Sequence, residues 1–380
     1  MTARPAALGP GATIGVLGGG QLGRMLAVIA RQMGYRVIVL DPSPRCPTAQ
    51  VADGCVVGAL DDADAARALA RQVDVITLDT EHVPADVLAA IEPLAPVRPG
   101  ARVLATIQDR RVQKEFLDRL GLPQARWAPA DDLDAALARV GRPAIVKVRR
   151  AGYDGKGQVR IGPTDDAAAR LAVLGGQPAV AEAVVEFRRE ISVILARGLD
   201  GAIAVYPVAD NVHRRHVLHT TRAPAVLAAA RRAEAEAMAV AIAEALDHVG
   251  VMAVEMFELA DGRLLINEIA PRTHNSGHYT YGACATSQFE QHLRAVCGLP
   301  LGDPRALSPA VMVNLIGDLW QGGAPDWTPV LARPEARLHL YGKDAPAPGR
   351  KMGHLVLLDD DPERALGTAE ALIAALAARS

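Results

Sequence analysis

Glu255 and Glu268 flank Asp261-Gly262, each within an apolar run, residues 251–259 and 264–270. Asp-Gly between two such runs signals a two-residue hairpin turn. A turn that tight sets Ala260 opposite Arg263 and Glu255 opposite Glu268. Directly opposed strand residues have Cβ atoms about 5 Å apart. Two carboxylates at that spacing repel by roughly 3 kcal/mol at an effective dielectric near 20. A hard cation removes the repulsion, and paired carboxylates bridging to phosphates are a common way to hold Mg²⁺. Their neighbours Val254, Met256, Ile266 and Ile269 are apolar, which argues against two solvated side chains on an open face. Directly downstream stands Pro271-Arg272-Thr273-His274-Asn275-Ser276-Gly277-His278. A dense polar loop after an acidic strand reads as an active-site wall.

Two glycine loops add a phosphate theme. Gly18-Gly19-Gly20-Gln21-Leu22-Gly23 satisfies G-x-G-x-x-G, and Asp41 ends the next apolar run. That pattern fits a nicotinamide dinucleotide enzyme with Asp41 on the ribose. It also fits a tight turn with nothing bound, or a helix start that attracts any phosphate or carboxylate. The second loop, residues 152–157, has three glycines in six positions and follows Lys147. Glycines there let the backbone approach phosphates and let the loop close as a lid. Glu182, Ala183, Val184 and Val185, followed by Glu190, have the makings of a linker whose backbone meets an adenine edge and whose carboxylate meets a ribose. Lys343, Arg350 and Lys351 surround a Pro-containing loop and suit a phosphomonoester.

The elements that would carry these groups change character along the chain. Runs at 13–17, 35–40 and 73–78, with a helical stretch at 22–33, predict an open α/β sheet of parallel strands. From about residue 109 the pattern becomes antiparallel α+β, with a hairpin at 144–148 and 158–161 and a long helix at 227–248. A tail beyond Pro304 carries strands at 336–341 and 354–358 and a closing helix. At 380 residues the chain predicts two to three domains on a prior of about 100–200 residues each. Division at 1–108, 109–303 (with a lid lobe at about 109–185) and 304–380 follows. A net charge of −2 and 3% aromatics speak against a nucleic-acid platform. Four scattered cysteines without C-x-x-C spacing fit a reducing cytoplasm and no zinc site. No run approaches the ~20 apolar residues of a membrane span.

Taken in order, these motifs resemble the ATP-grasp superfamily, and within it the N5-carboxyaminoimidazole ribonucleotide synthases. The matching stretches are GVLGGGQLGRM, TEHVP, IQDR, GYDGKGQ, NVH, NEIAPRTHNSGH and GRKMGHL, spread over nearly the whole chain. The resemblance implies an N-terminal Rossmann-like domain, a two-lobed ATP-grasp domain and a small β-rich C-terminal domain. It implies a cytoplasmic, homodimeric ligase. ATP would phosphorylate bicarbonate, and the carboxyl would pass to the amine of 5-aminoimidazole ribonucleotide, with Mg²⁺ required and neither nucleic acid nor membrane involved. On this basis Arg110, Lys147 and the lid residues Gly152, Tyr153, Asp154, Gly155, Lys156, Gly157 and Gln158 hold ATP phosphates. Glu182, Ala183, Val184 and Val185 border adenine, Glu190 its ribose, with His213 and Asn267 nearby. Glu255 and Glu268 ligate the metal. Gln21, Leu22 and Glu81 meet the ribonucleotide, while Arg272, His274, Asn275, Lys343, Arg350 and Lys351 surround its phosphate or the bicarbonate. Asp154, Arg272 and Lys343 are the catalytic candidates. Asp154 is poorly suited to phosphate and better suited to orienting the amine or taking its proton. The first glycine loop then serves the ribonucleotide, and no nicotinamide is needed. Three departures from the pattern stand out: Ala270, where asparagine is frequent, Thr273, where proline is common, and the less typical segment Leu78-Asp79-Thr80 before Glu81.

A nicotinamide oxidoreductase would leave the second glycine loop and the glutamate pair unexplained. A non-catalytic nucleotide sensor conflicts with keeping Lys147, Glu255, Glu268 and Arg272 together. Within the superfamily, a formate-using glycinamide ribonucleotide ligase or a biotin carboxylase is the nearest competitor.

Overall fold

A computed structural model describes residues 7–152 and 155–377. The first unit is a four-stranded parallel sheet in the order Gly54–Val57, Arg36–Asp41, Thr13–Leu17, Val75–Leu78. Every residue of the central strand Thr13–Leu17 is buried, as its unbroken apolar run requires. The following helix, Gln21–Gln32, buries Leu22, Met25, Leu26 and Ile29 on one face.

The second sheet, in the segment expected to form the lid lobe, has four antiparallel strands ordered Trp127–Pro129, Ala179–Ala183, Ala144–Val148, Gln158–Ile161. The expected hairpin is present, with Ala144 opposite Ile161 and Lys147 opposite Gln158. Asp109 ties its base down. It caps the helix Arg110–Arg119 and clasps the Arg149 guanidinium through two bonds of 2.9 and 2.7 Å.

The third sheet has nine strands. It runs Leu264–Ala270, Gly250–Glu258, Arg189–Arg197, Ala209–Arg214, Val217–Ala223, Ala310–Ile316, Lys351–Leu358, Ala336–Leu340, with Ile203–Val205 beside Arg189–Arg197. The strand Ala310–Ile316 pairs directly with Val217–Ala223, so the tail beyond Pro304 extends the central sheet without a break.

Pairing also decides which side chains share a face. Glu255 lies opposite both Glu268 and Ser192, and Asn211 opposite Thr221. Across the seam Thr221 faces Met312, two residues before Asn314, and Asn314 faces His354. A polar row therefore crosses one face of an otherwise apolar sheet.

Candidate active site

The hairpin register differs from the two-residue expectation, yet the glutamates still meet. Leu259 and Arg263 close a three-residue turn in which Gly262 has φ +84°, a left-handed conformation suited to glycine. This places Glu258 opposite Leu264 and Met256 opposite Ile266. A bulge at Asn267 then absorbs one residue and brings Glu255 opposite Glu268. Burial, then the facing Glu268, raise the Glu255 carboxyl to about 7. His274 Nε2 lies 3.9 Å from it, but burial lowers that ring to about 3 and leaves it neutral, and among the described residues Glu268 is in no salt bridge. Paired hard oxygen donors suit a divalent metal.

These carboxylates line a cleft of about 660 Å³ where the first unit, the lid and the nine-stranded sheet meet. Gln21, Leu22, Glu81, Lys156, His213, Arg272, His274, Asn275, Lys343, Arg350 and Lys351 all line it. The cleft carries both signs of charge. Glu255 and Glu268 come from the hairpin, and Lys343, Arg350 and Lys351 from the segment 343–351, with Lys351 close enough to lower the Glu255 pKa against the larger effects that raise it. Glu81 and Arg272 form a two-pronged pair, with Arg272 NH2 to Glu81 Oε1 at 2.8 Å. Burial alone would raise the Glu81 carboxyl, but Arg272 outweighs it and holds the group near 2. Arg272 is thereby fixed in the cleft with its charge already partnered.

Arg110 and Gly152 line a smaller neighbouring cavity of about 240 Å³, which shares Glu81 and Glu268 with the cleft. Arg110 also donates to the Gly152 carbonyl at 3.1 Å. Lys147 meets Glu182 at 3.1 Å, and Glu190 pairs with His213. That contact outweighs burial and raises the His213 pKa. Gln158 sits on the lid strand beside Lys147, and the Gly155 and Gly157 backbones have positive φ. Ala183 and Val184 use their N–H groups within the protein. Tyr153 and Asp154 lie outside the described residues.

The first glycine loop narrows the alternatives that its sequence leaves open. Its N–H groups are not left for a phosphate. Gly19 donates to Asp41 at 2.8 Å, and Asp79 accepts from Gly20 at 3.1 Å and from Gly23 at 2.6 Å. The anion that a helix N-terminus attracts is the chain's own Asp79. A Cβ on Gly20 would collide with that carboxylate. Asp41 is committed to the loop and is no ribose ligand, so what the loop offers the cleft is Gln21 and Leu22.

Several participants escaped the sequence reading. Lys114 is buried and reaches Glu182 at 3.3 Å, so Glu182 sits between two ammonium groups. Against burial, Lys147 and Lys114 hold its carboxyl near 2. The signal for Lys114 was its place one helical turn beyond Arg110. Asn314 exchanges two hydrogen bonds with Asn275, at 3.1 and 2.7 Å, which commits the Asn275 amide to the sheet. Asp79 and Asn314 lie in strand-like contexts with no motif to mark them.

Comparison with known proteins follows this geometry. Residues 11–108 match the ribonucleotide synthetase preATP-grasp domain, residues 115–289 the ATP-grasp domain, and residues 310–368 the phosphoribosylaminoimidazole carboxylase C-terminal domain. An N5-carboxyaminoimidazole ribonucleotide synthase of Brucella melitensis is 47% identical over 353 residues, covering 92% of this chain and 96% of that protein. This chain belongs to the N5-carboxyaminoimidazole ribonucleotide synthase family. It is an ATP-grasp ligase by that membership. A Bacillus subtilis synthase is 42% identical over 92% of both chains. The crystal structure of the Aspergillus clavatus synthase with ADP and 5-aminoimidazole ribonucleotide superposes with TM-score 0.89 at 34% identity, covering 96% and 98% of the two chains. The Staphylococcus aureus enzyme with ADP gives TM-score 0.91 at 36% identity, covering 97% and 99%.

Proposed function

We propose that this enzyme uses ATP to carboxylate 5-aminoimidazole ribonucleotide with bicarbonate, giving N5-carboxyaminoimidazole ribonucleotide, ADP and phosphate in purine biosynthesis. The observation that carries the reading is one cleft, in a member of this family, lined by both the Glu255/Glu268 pair and the cations Lys343, Arg350 and Lys351. The carboxylates suit a metal-bound triphosphate and the cations a phosphomonoester.

Bicarbonate is a poor electrophile because hydroxide is a poor leaving group. Transfer of the terminal phosphoryl of ATP to a bicarbonate oxygen breaks the P–O bond to ADP and forms a mixed anhydride. The ribonucleotide amine then attacks the anhydride carbon and expels phosphate, or phosphate leaves first to give CO₂, to which the amine adds; on either route the amine gives up a proton. Positioning and charge neutralisation carry most of such a reaction. Arg272, held by Glu81, would orient the bicarbonate beside Lys343. Arg350 and Lys351 would hold the ribonucleotide phosphate, and Arg110, Lys147 and the lid the ATP phosphates. Glu255 and Glu268 would hold Mg²⁺, which supplies charge neutralisation at the phosphates. A cytoplasmic homodimer belongs to the same reading and rests on resemblance. Among the described residues no helix is long and apolar enough to cross a membrane.

The test is ADP release with Mg²⁺ and bicarbonate, with and without the ribonucleotide. Full rate should require all three. NAD(P)H binding with no ATP turnover would overturn the reading. The filled glycine loop already speaks against it, because the N–H groups a dinucleotide phosphate needs are taken by Asp41 and Asp79.

A further inference from the structure

Behind His274 runs a chain of buried polar side chains that the reaction scheme leaves unused. Thr221, Ser192 and Ser276 are fully buried and Asn211 nearly so. Thr221 Oγ1 donates to Asn211 Oδ1 at 2.9 Å, with the amide Nδ2 turned toward Ser192. Asn211 Nδ2 donates to Ser192 Oγ at 3.0 Å, and Ser192 Oγ donates to Ser276 Oγ at 2.9 Å. Ser276 Oγ lies 2.9 Å from His274 Nδ1. Each serine accepts from its predecessor, so its single hydroxyl proton points onward.

A second contact settles the direction independently. The peptide N–H of Ser276 also points at His274 Nδ1, at 3.3 Å, and a peptide N–H can only donate. Nδ1 is therefore the lone-pair nitrogen, and the ring proton sits on Nε2. Nε2 lies on the edge nearest Glu255, at 3.9 Å from Oε1, too far for a hydrogen bond.

We propose that Thr221, Asn211, Ser192 and Ser276 lock His274 in the Nε2–H tautomer, making it a fixed donor to an anionic oxygen of the bicarbonate or its phosphorylated form. The four are positioning residues, and the proposal rests on the carboxylating reading above. An Nδ1–H ring would present a lone pair to the anion and repel it. A donor already oriented in a dry site stabilises developing charge with no reorganisation at the moment of reaction. The chain crosses three neighbouring strands, so the sheet itself sets its direction. It also gives the NVH motif a role for Asn211.

The test combines ¹⁵N-histidine NMR with kinetics. The His274 signals are assigned among the ten histidines by their loss in His274→Gln. Wild-type protein should show a protonated Nε2 and a bare Nδ1. In Asn211→Asp the new carboxylate accepts from both Thr221 and Ser192, which reverses the chain. That variant should shift the proton toward Nδ1 and lower kcat/KM for bicarbonate ~10-fold while KM for ATP holds. Ser276→Ala, which keeps the peptide N–H, should do the same to a smaller degree. A glutamine at 274 offers its N–H without a tautomer, so in that background Asn211→Asp should add no loss. A proton on Nδ1 in the wild type overturns the proposal. So does an equal loss from Asn211→Asp in both backgrounds, which would make the chain mere packing. Absence of bicarbonate-dependent ADP release in the wild type would instead sink the carboxylating reading, while the nitrogen shifts would still decide the tautomer.

Discussion

Glu268 and Glu255 face each other with like charge, and that conflict adds to the larger effect of burial in raising the proton affinity of Glu255. Replacing one carboxylate by its amide relieves the repulsion but removes the charge that would hold a cation. Glu268→Gln should therefore fold normally by far-UV circular dichroism and lose ADP formation by about 10²-fold or more. A variant with ordinary turnover and unchanged Mg²⁺ dependence would show that the pair has no catalytic part. Glu81 presents the opposite balance, because Arg272 satisfies it. Its folded pKa lies below the usual value, so its stabilisation is present above about pH 4.5 and fades as the pH falls through 2. Removing it leaves the half-buried Arg272 guanidinium without its two-pronged partner. Glu81→Ala should cost about 1–3 kcal/mol in urea unfolding near neutral pH, and a cost under about 1 kcal/mol would mean the pair behaves like an exposed one.

The elements show how far sequence alone carries. The lid hairpin was legible to the residue, because a glycine loop between two apolar runs admits few pairings. The Glu255/Glu268 juxtaposition was also legible, though by compensation. The turn is one residue longer than Asp-Gly suggests, and the bulge at Asn267 restores the offset. Nothing in a one-dimensional pattern marks a bulge, which is a property of the pair of strands. The polar row escaped for the same reason. Ser192, Asn211, Thr221 and Asn314 come from four separated segments, and only the sheet aligns them. The first glycine loop was legible as a helix start that attracts some phosphate or carboxylate, but the anion itself was not, because Asp79 lies 56 residues beyond Gly23. Asp79→Ala should lower stability by about 1–3 kcal/mol by leaving buried N–H donors unpaired. If thermal unfolding of that variant matched the wild type, the carboxylate would not be the helix cap assigned to it.

Across the whole molecule, buried histidines set the response to acid. Burial depresses His248 to about 4, His292 to about 3 and His339 to about 4, and pushes His278 and His354 down further. Each stays neutral in the fold but takes a proton when unfolded below about pH 6.5. The stability they confer is complete above that value and is lost as the pH falls. At pH 5 His248, His292 and His339 should each have forfeited about 2 kcal/mol, together a large share of a typical 5–15 kcal/mol. Urea midpoints should therefore drop steeply from pH 7 to 5, and a flat profile would mean these rings are charged in the native state. The seam between Val217–Ala223 and Ala310–Ile316 has a further consequence. A chain cut at residue 303 would not yield a smaller, self-sufficient protein. It would lay bare a row of unmet backbone donors and acceptors along a mostly buried strand, an open template for joining other chains. Such a fragment should appear in inclusion bodies, and a soluble, monomeric one would show that the three terminal strands are an ornament to the sheet instead of its closing margin.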